Sequence, residues 1–172
     1  MNDATEAFTG QVLNDMSATL SGVMTSIGHQ LGLYQTLAGE PWLGSDELAR
    51  RTGLSERYLR EWLNNQVAGG YLEYEPQRQA YRLPDAHIPV LVDADSPVYL
   101  VPALEVAAAL WHGRDRLMDV FRSDEGIPWG EQHHSLFCGS ESMFRPGYRH
   151  FLVDEWIAAM PGMPEKLAAG GR

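Results

Sequence analysis

This sequence predicts a mainly α fold, and three observations predict it. Apolar residues recur at helical spacing over residues 7–37 and again beyond Pro84. Between those regions, two short segments each carry residues that start and stop a helix. Strand-forming residues gather in only two short runs, 71–74 and 80–83, separated by a polar stretch with Pro76.

The N-terminal region carries Val12, Met16, Leu20, Val23, Met24, Ile27 and Leu31 at helical spacing. This predicts one long helix or two in series, with Gly28 and Gly32 as the places for a bend or break. Ala18, Met24, Leu33 and Leu37 widen the apolar face beyond one stripe. Such a helix needs cover on several sides, and pairing with a second chain supplies it, so a homodimer is expected.

In the next segment Ser45 is expected to cap a short helix whose first turn holds Asp46 and Glu47, with Gly53 as the left-handed residue that ends it. Ser55 is expected to cap a second helix with Leu59, Trp62, Leu63 and Val67 on its apolar face, closed by Gly69-Gly70. Two helices joined by a glycine-containing turn make a helix-turn-helix. The two strand runs that follow complete a winged helix.

Beyond Pro84 helices are expected over residues 96–112 and 114–122, broken near Gly113. Residues 123–139, with Gly126, Pro128 and Gly130, are expected to form a long loop. A helical region over 140–160 contains Met143, Phe144, Phe151, Leu152, Trp156 and Ile157, and Pro161-Gly162 ends it. Residues 165–169 make one short helix before Gly170-Gly171.

Composition narrows the function classes. Of 172 residues 44% are hydrophobic and 21% charged, which suits a globular chain with a sizeable core. No basic and apolar leader opens the chain and no apolar run approaches the roughly 20 residues of a membrane span, so a soluble, cytoplasmic protein is expected. The single cysteine, Cys138, fits a reducing compartment and is expected to pack as a small hydrophobe. The net charge of −10, with Lys166 the one lysine among 13 basic residues, counts against nucleic acid as partner.

Leu31-Gly32-Leu33-Tyr34, the run from Ser45 to Leu54 and Gly70-Tyr71-Leu72 together resemble the winged-helix domain that precedes the catalytic domain of many bacterial S-adenosylmethionine-dependent small-molecule methyltransferases. Gly126-Ile127-Pro128-Trp129, Arg145-Pro146 and Trp156-Ile157-Ala158-Ala159-Met160-Pro161-Gly162 resemble one mycobacterial-type branch, in which a tyrosine is expected where Trp129 stands. In that branch a segment like Lys166-Leu167-Ala168-Ala169-Gly170-Gly171-Arg172 leads into the strand and glycine-rich loop that bind the methyl donor. The resemblance implies N-terminal dimerisation helices over 1–32, a winged-helix domain over 33–83 and a helical substrate-pocket and linker region over 84–172. It also implies S-adenosylmethionine as cofactor of a full-length protein. None is expected to bind this chain, which lacks a strand, glycine turn and acid in succession and is therefore expected to be inactive alone.

The candidate wall of an acceptor pocket is Trp129, His133, Phe144 and Tyr148, aromatic surface and hydrogen-bonding groups suited to a flat, hydroxylated molecule. His133 or His134 is the candidate general base for a hydroxyl proton. A plainer reading leaves Trp129 and Phe144 as core or interface residues and both histidines solvated. His133, His134 and Cys138 are metal ligands by type, but adjacent histidines rarely face one ion and a second cysteine is lacking, so no metal is expected. His29, His112 and His150 read as isolated surface or packed residues.

The alternative is a winged-helix transcriptional regulator that lays its second helix in the major groove. That helix presents Glu56, Arg57, Arg60, Glu61 and Asn64, and the wing presents Glu73, Glu75, Arg78 and Arg82. Two acids against two bases on each surface make a poor phosphate binder.

Overall fold

The computed structural model describes residues 2–123 and 125–171. Met1, Asp124 and Arg172 lie outside the described residues, and with them one position of the expected 123–139 loop and the last residue of the Lys166-to-Arg172 segment.

The chain is mainly α. Helix α1, Asp3–Gln30, is capped by Asn2, whose side chain accepts from the Thr5 N–H at 2.8 Å. The break falls at Gly32 (φ 67°), the left-handed residue from which α2, Leu33–Leu37, departs. Gly28 does not bend the helix. It is the point where α1 crosses α4, and a Cβ there would stand 2.3 Å from the Trp62 ring. The Trp62 indole N–H donates to the Met24 carbonyl at 2.7 Å, fixing that crossing.

Helix α3, Ser45–Thr52, and helix α4, Glu56–Ala68, form the helix-turn-helix, and Gly53 (φ 71°) makes the turn. Ser45 does not cap α3. Gly44 holds the cap position, and the Ser45 hydroxyl donates instead to Glu56 Oε1 at 2.6 Å, tying the start of α3 to the start of α4. Ser55 occupies the cap position of α4 without a side-chain capping bond. Strands β1, Glu73–Glu75, and β2, Ala80–Arg82, pair antiparallel with Tyr74 opposite Tyr81, and Leu43 bridges to Tyr81. These make the wing.

The core lies under the wing. Tyr34, Leu48, Leu63 and Leu83 are all but sealed from solvent, with Leu59, Leu72, Tyr81 and Val101 around them. One polar chain runs through it. The Tyr34 hydroxyl donates to Gln66 Oε1 at 2.5 Å, Gln66 Nε2 donates to Asn65 Oδ1, and Asn65 Nδ2 donates to the Ser21 hydroxyl. Burial pushes the Tyr34 phenol well above its usual range, so it stays a donor.

A 3-10 turn at Asp85–His87 and helix α5, Ile88–Leu91, lead out of this half. Helix α6, Ala103–His112, begins seven residues later than periodicity suggests, because residues 96–102 run through turns ending in Pro102. Helix α7, Arg114–Ser123, follows the break at Gly113. The expected long loop is much shorter. A 3-10 turn at Trp129–Glu131 precedes helix α8, His134–Phe151, so Phe137, Cys138 and Gly139 are helical. His133 supplies a cap that glycine and proline counts do not reveal. Helix α8 runs through Pro146 into a π-helical stretch, Leu152–Ile157, and α9, Met163–Ala168, follows.

Among the described residues no helix is long and apolar enough to cross a membrane.

Candidate functional site

Helix α8 packs on α6 through one face and leaves the other open. At Gly139 an added Cβ would lie 3.0 Å from Glu105 Cβ, the Pro102 carbonyl oxygen and Val106 Cγ2, tight enough that these neighbours would have to yield by a few tenths of an ångström. Pro146 is buried on the same face. The C-terminal end is fixed by the Arg149–Asp95 ion pair and by His150 Nε2, which donates to the Asp95 carbonyl at 2.7 Å.

With the packed face settled, helical geometry decides the rest. Phe137, Phe144 and Tyr148 are separated by seven and four residues, which puts all three on the side of α8 away from Gly139 and Pro146. Trp129 extends the row, its ring edge-on to Phe137 at 5.1 Å between centroids. At the other end the π-helical stretch brings Trp156 edge-on to Tyr148 at 5.6 Å. The result is an aromatic face along α8, with Trp129 63%, Phe144 55% and Tyr148 54% exposed. The Glu141–Arg145 ion pair borders it, and Arg145 holds the Glu141 carboxyl below the usual carboxylate range. Arg116 of α7 pairs with Glu131 and also donates to its carbonyl, which anchors the turn bearing Trp129.

Three of the four candidate wall residues, Trp129, Phe144 and Tyr148, therefore share one face. His133 sits at its N-terminal end and is engaged elsewhere. Its Nδ1 accepts from the Ser135 N–H at 3.3 Å, and its ring lies tilted against His112 at 4.2 Å between centroids. A neutral imidazole accepting at Nδ1 carries its proton on Nε2, so His133 must release the cap before either nitrogen can take a hydroxyl proton. His134 turns away from His133, its Nε2 lying 3.1 Å from Cys138 Sγ. Cys138 is exposed rather than packed as a small hydrophobe, because it lies at the open edge of a groove beside Pro102 and Glu105. Among the described residues no group of three or more His, Cys, Asp or Glu is placed to hold a metal ion.

The other three histidines are surface or packed residues, each with a neighbour. The His112 ring lies tilted against His133, His150 holds the Asp95 carbonyl, and His29 sits edge-on to Tyr99 with a buried Nδ1 that has no partner among the described residues. Burial lowers the His29 pKa, with Glu105 opposing. Sequence reading missed Phe137 and Trp156 as members of the aromatic row. Phe137 falls in the stretch where a loop is expected and its spacing to Phe144 carries no information, and Trp156 reaches Tyr148 through the π-helical stretch after Phe151.

On the winged-helix surface, Arg60 pairs with Glu56 on α4 and Arg82 pairs with Glu73 across the wing. Half of the basic groups that would meet phosphate are thus engaged within the chain. A donor site of the class I methyltransferase kind needs a glycine-rich turn after a parallel strand. The described residues form a single two-stranded antiparallel sheet, Gly69 and Gly70 close α4, and Gly170 follows a helix, so they do not fit that group.

Residues 18–93 match the family described as the Rv2258c-like winged HTH domain. No curated protein matches the chain in sequence. Among solved structures, an O-methyltransferase family protein from Burkholderia thailandensis superposes with a TM-score of 0.62 at 16% identity, over 94% of this chain and 46% of that one. PigF with SAH gives 0.65 at 15% identity, over 95% and 55%. The mitomycin 7-O-methyltransferase MmcR gives 0.62 at 19% identity, over 86% and 46%. At these identities the likeness is one of fold, and the chain spans about half the length of each.

Proposed function

We propose that this chain is the N-terminal part of a small-molecule O-methyltransferase, in which residues 1–32 pair two subunits, residues 33–83 form a non-DNA-binding winged helix, and residues 84–172 supply one wall of the acceptor pocket. The observation that carries this is the aromatic face of α8. It is held on a rigid helix packed through Gly139, and it is left uncovered. A flat, hydroxylated acceptor stacks on Trp129, Phe144 and Tyr148, and a catalytic domain bearing S-adenosylmethionine closes the pocket from the other side. Resemblance in sequence and likeness in fold to proteins of about twice the length support the same division of labour.

Pairing rests on α1. Phe8, Val12, Met16, Leu20, Val23 and Ile27 form an exposed stripe, and Leu20 is 66% exposed. A helix of roughly 40 Å whose first half is exposed throughout among the described residues is stabilised by the same helix of a second copy.

The test is calorimetric titration of the chain with S-adenosylmethionine and, separately, with mixed duplex DNA at low salt. No heat with either is expected. In the protein carrying a donor-binding domain, Phe144→Ala and Tyr148→Ala are then expected to raise KM for a phenolic acceptor about tenfold, what removing a stacking partner is worth. Tight donor binding by this chain would overturn the division into parts, and salt-sensitive DNA binding would put a transcriptional regulator in its place.

A further inference from the structure

We infer that a cleft in the winged-helix half, which shares no residue with the α8 aromatic face, binds a neutral apolar small molecule carrying one hydroxyl. The cleft measures about 360 Å³ and lies between α1, the turn after α4, α5 and the start of α6. That is the small end of the range for pockets that hold organic ligands, enough for a bicyclic ring and too small for a helix. Tyr71, Val90, Val101 and Leu104 form its apolar walls, and Thr25 and His87 are among its few polar groups.

His87 defines the ligand. His87 Nδ1 lies 2.9 Å from the Tyr71 carbonyl oxygen, which can only accept, so Nδ1 carries the proton and Nε2 keeps its lone pair. Thr25 is sealed beneath the cleft floor, its hydroxyl donating to the Ser21 carbonyl at 3.0 Å, and offers the ligand nothing. One acceptor at the wall of an apolar cleft calls for a donor on the ligand. A carboxylate or phosphate offers only acceptors, and no lysine or arginine lines the cleft among the described residues. An ammonium would donate, but the apolar walls make its desolvation costly. A phenol or alcohol meets every condition. This inference is independent of the acceptor wall and stands or falls separately.

The experiment is amide-resolved NMR titration of the 172-residue chain with 2-naphthol, naphthalene and 2-naphthoate. Expected are saturable shifts at Gly69, Gly70, Tyr71 and Val101 with 2-naphthol. Naphthalene should bind there about five-fold more weakly, the worth of one net hydrogen bond, and 2-naphthoate should not bind there at all. In His87→Phe, naphthalene binding persists and the preference for 2-naphthol disappears. The inference is overturned by shifts confined to Gly147, Tyr148 and Trp156, by equal affinity for the three probes, by no saturable shift, or by an unchanged preference in His87→Phe.

Discussion

The winged-helix half and the α6–α9 annex draw on the same kinds of residue and dispose of them in opposite ways. Every residue of the buried hydrophobic cluster lies between Leu33 and Val101. In the annex the buried positions are small or rigid ones, Ala109, Gly139 and Pro146, while Trp111, Phe121, Phe144, Tyr148 and Trp156 stand exposed. One half has spent its large side chains on its own stability. The other keeps them facing outward, where they are available to a substrate or to another part of the protein.

The sharpest way to break this contrast is to remove one large side chain from each half. Trp62→Ala takes away the ring that α1 crosses and the indole bond to Met24, and is expected to cost about 3–5 kcal/mol in denaturant unfolding. Trp156→Ala should cost less than about 1 kcal/mol. Equal losses would mean that the annex face is as much core as the winged helix is. Gly139→Val ranks next. Its side chain meets three atoms already at 3.0 Å, and about 1–3 kcal/mol of overpacking should appear as faster amide exchange in α8 with the winged helix unchanged.

Leu20→Asp tests the third uncovered surface, the stripe on α1. Light scattering is expected to fall from dimer to monomer mass while the circular dichroism of the chain's core persists, and an unchanged dimer mass would remove α1 from the interface. The smallest effect concerns His29, whose pKa is lowered mainly by burial. Its unfolded form binds the proton more readily, so its contribution to stability is fully present above the unfolded value of about 6.5 and is lost as pH falls through the folded one. The melting temperature should therefore drop more between pH 7.5 and 5.5 for the native chain than for His29→Phe. A parallel drop would show that His29 is not the titrating group.

The same contrast explains which parts of the fold were readable. Gly53, Gly32 and the period of Leu59, Trp62 and Leu63 encode the helix-turn-helix locally, since a left-handed glycine and an apolar stripe act within a few residues. The start of α8 was not readable, because its cap is a histidine and its first turns carry few apolar residues. The aromatic row was half readable. Phe144 and Tyr148 announce themselves at helical spacing, but Trp129 and Trp156 join them through a 3-10 turn and a π-helical stretch.

The sequence by itself determined the mainly α class, the helix-turn-helix, the wing, the apolar excess of α1 and the aromatic character of the annex, because periodicity, turn glycines and residue type are local properties. Tertiary structure alone decided that Gly28 is a crossing point rather than a break, that Gly139 is a close helix contact rather than the end of a loop, that Ser45 bonds Glu56 instead of capping, and that the two histidines at the start of α8 turn to different partners. Each of those depends on a neighbour distant in the chain. A single residue's chemistry says what it can bond, and only packing says which of its possible partners arrives.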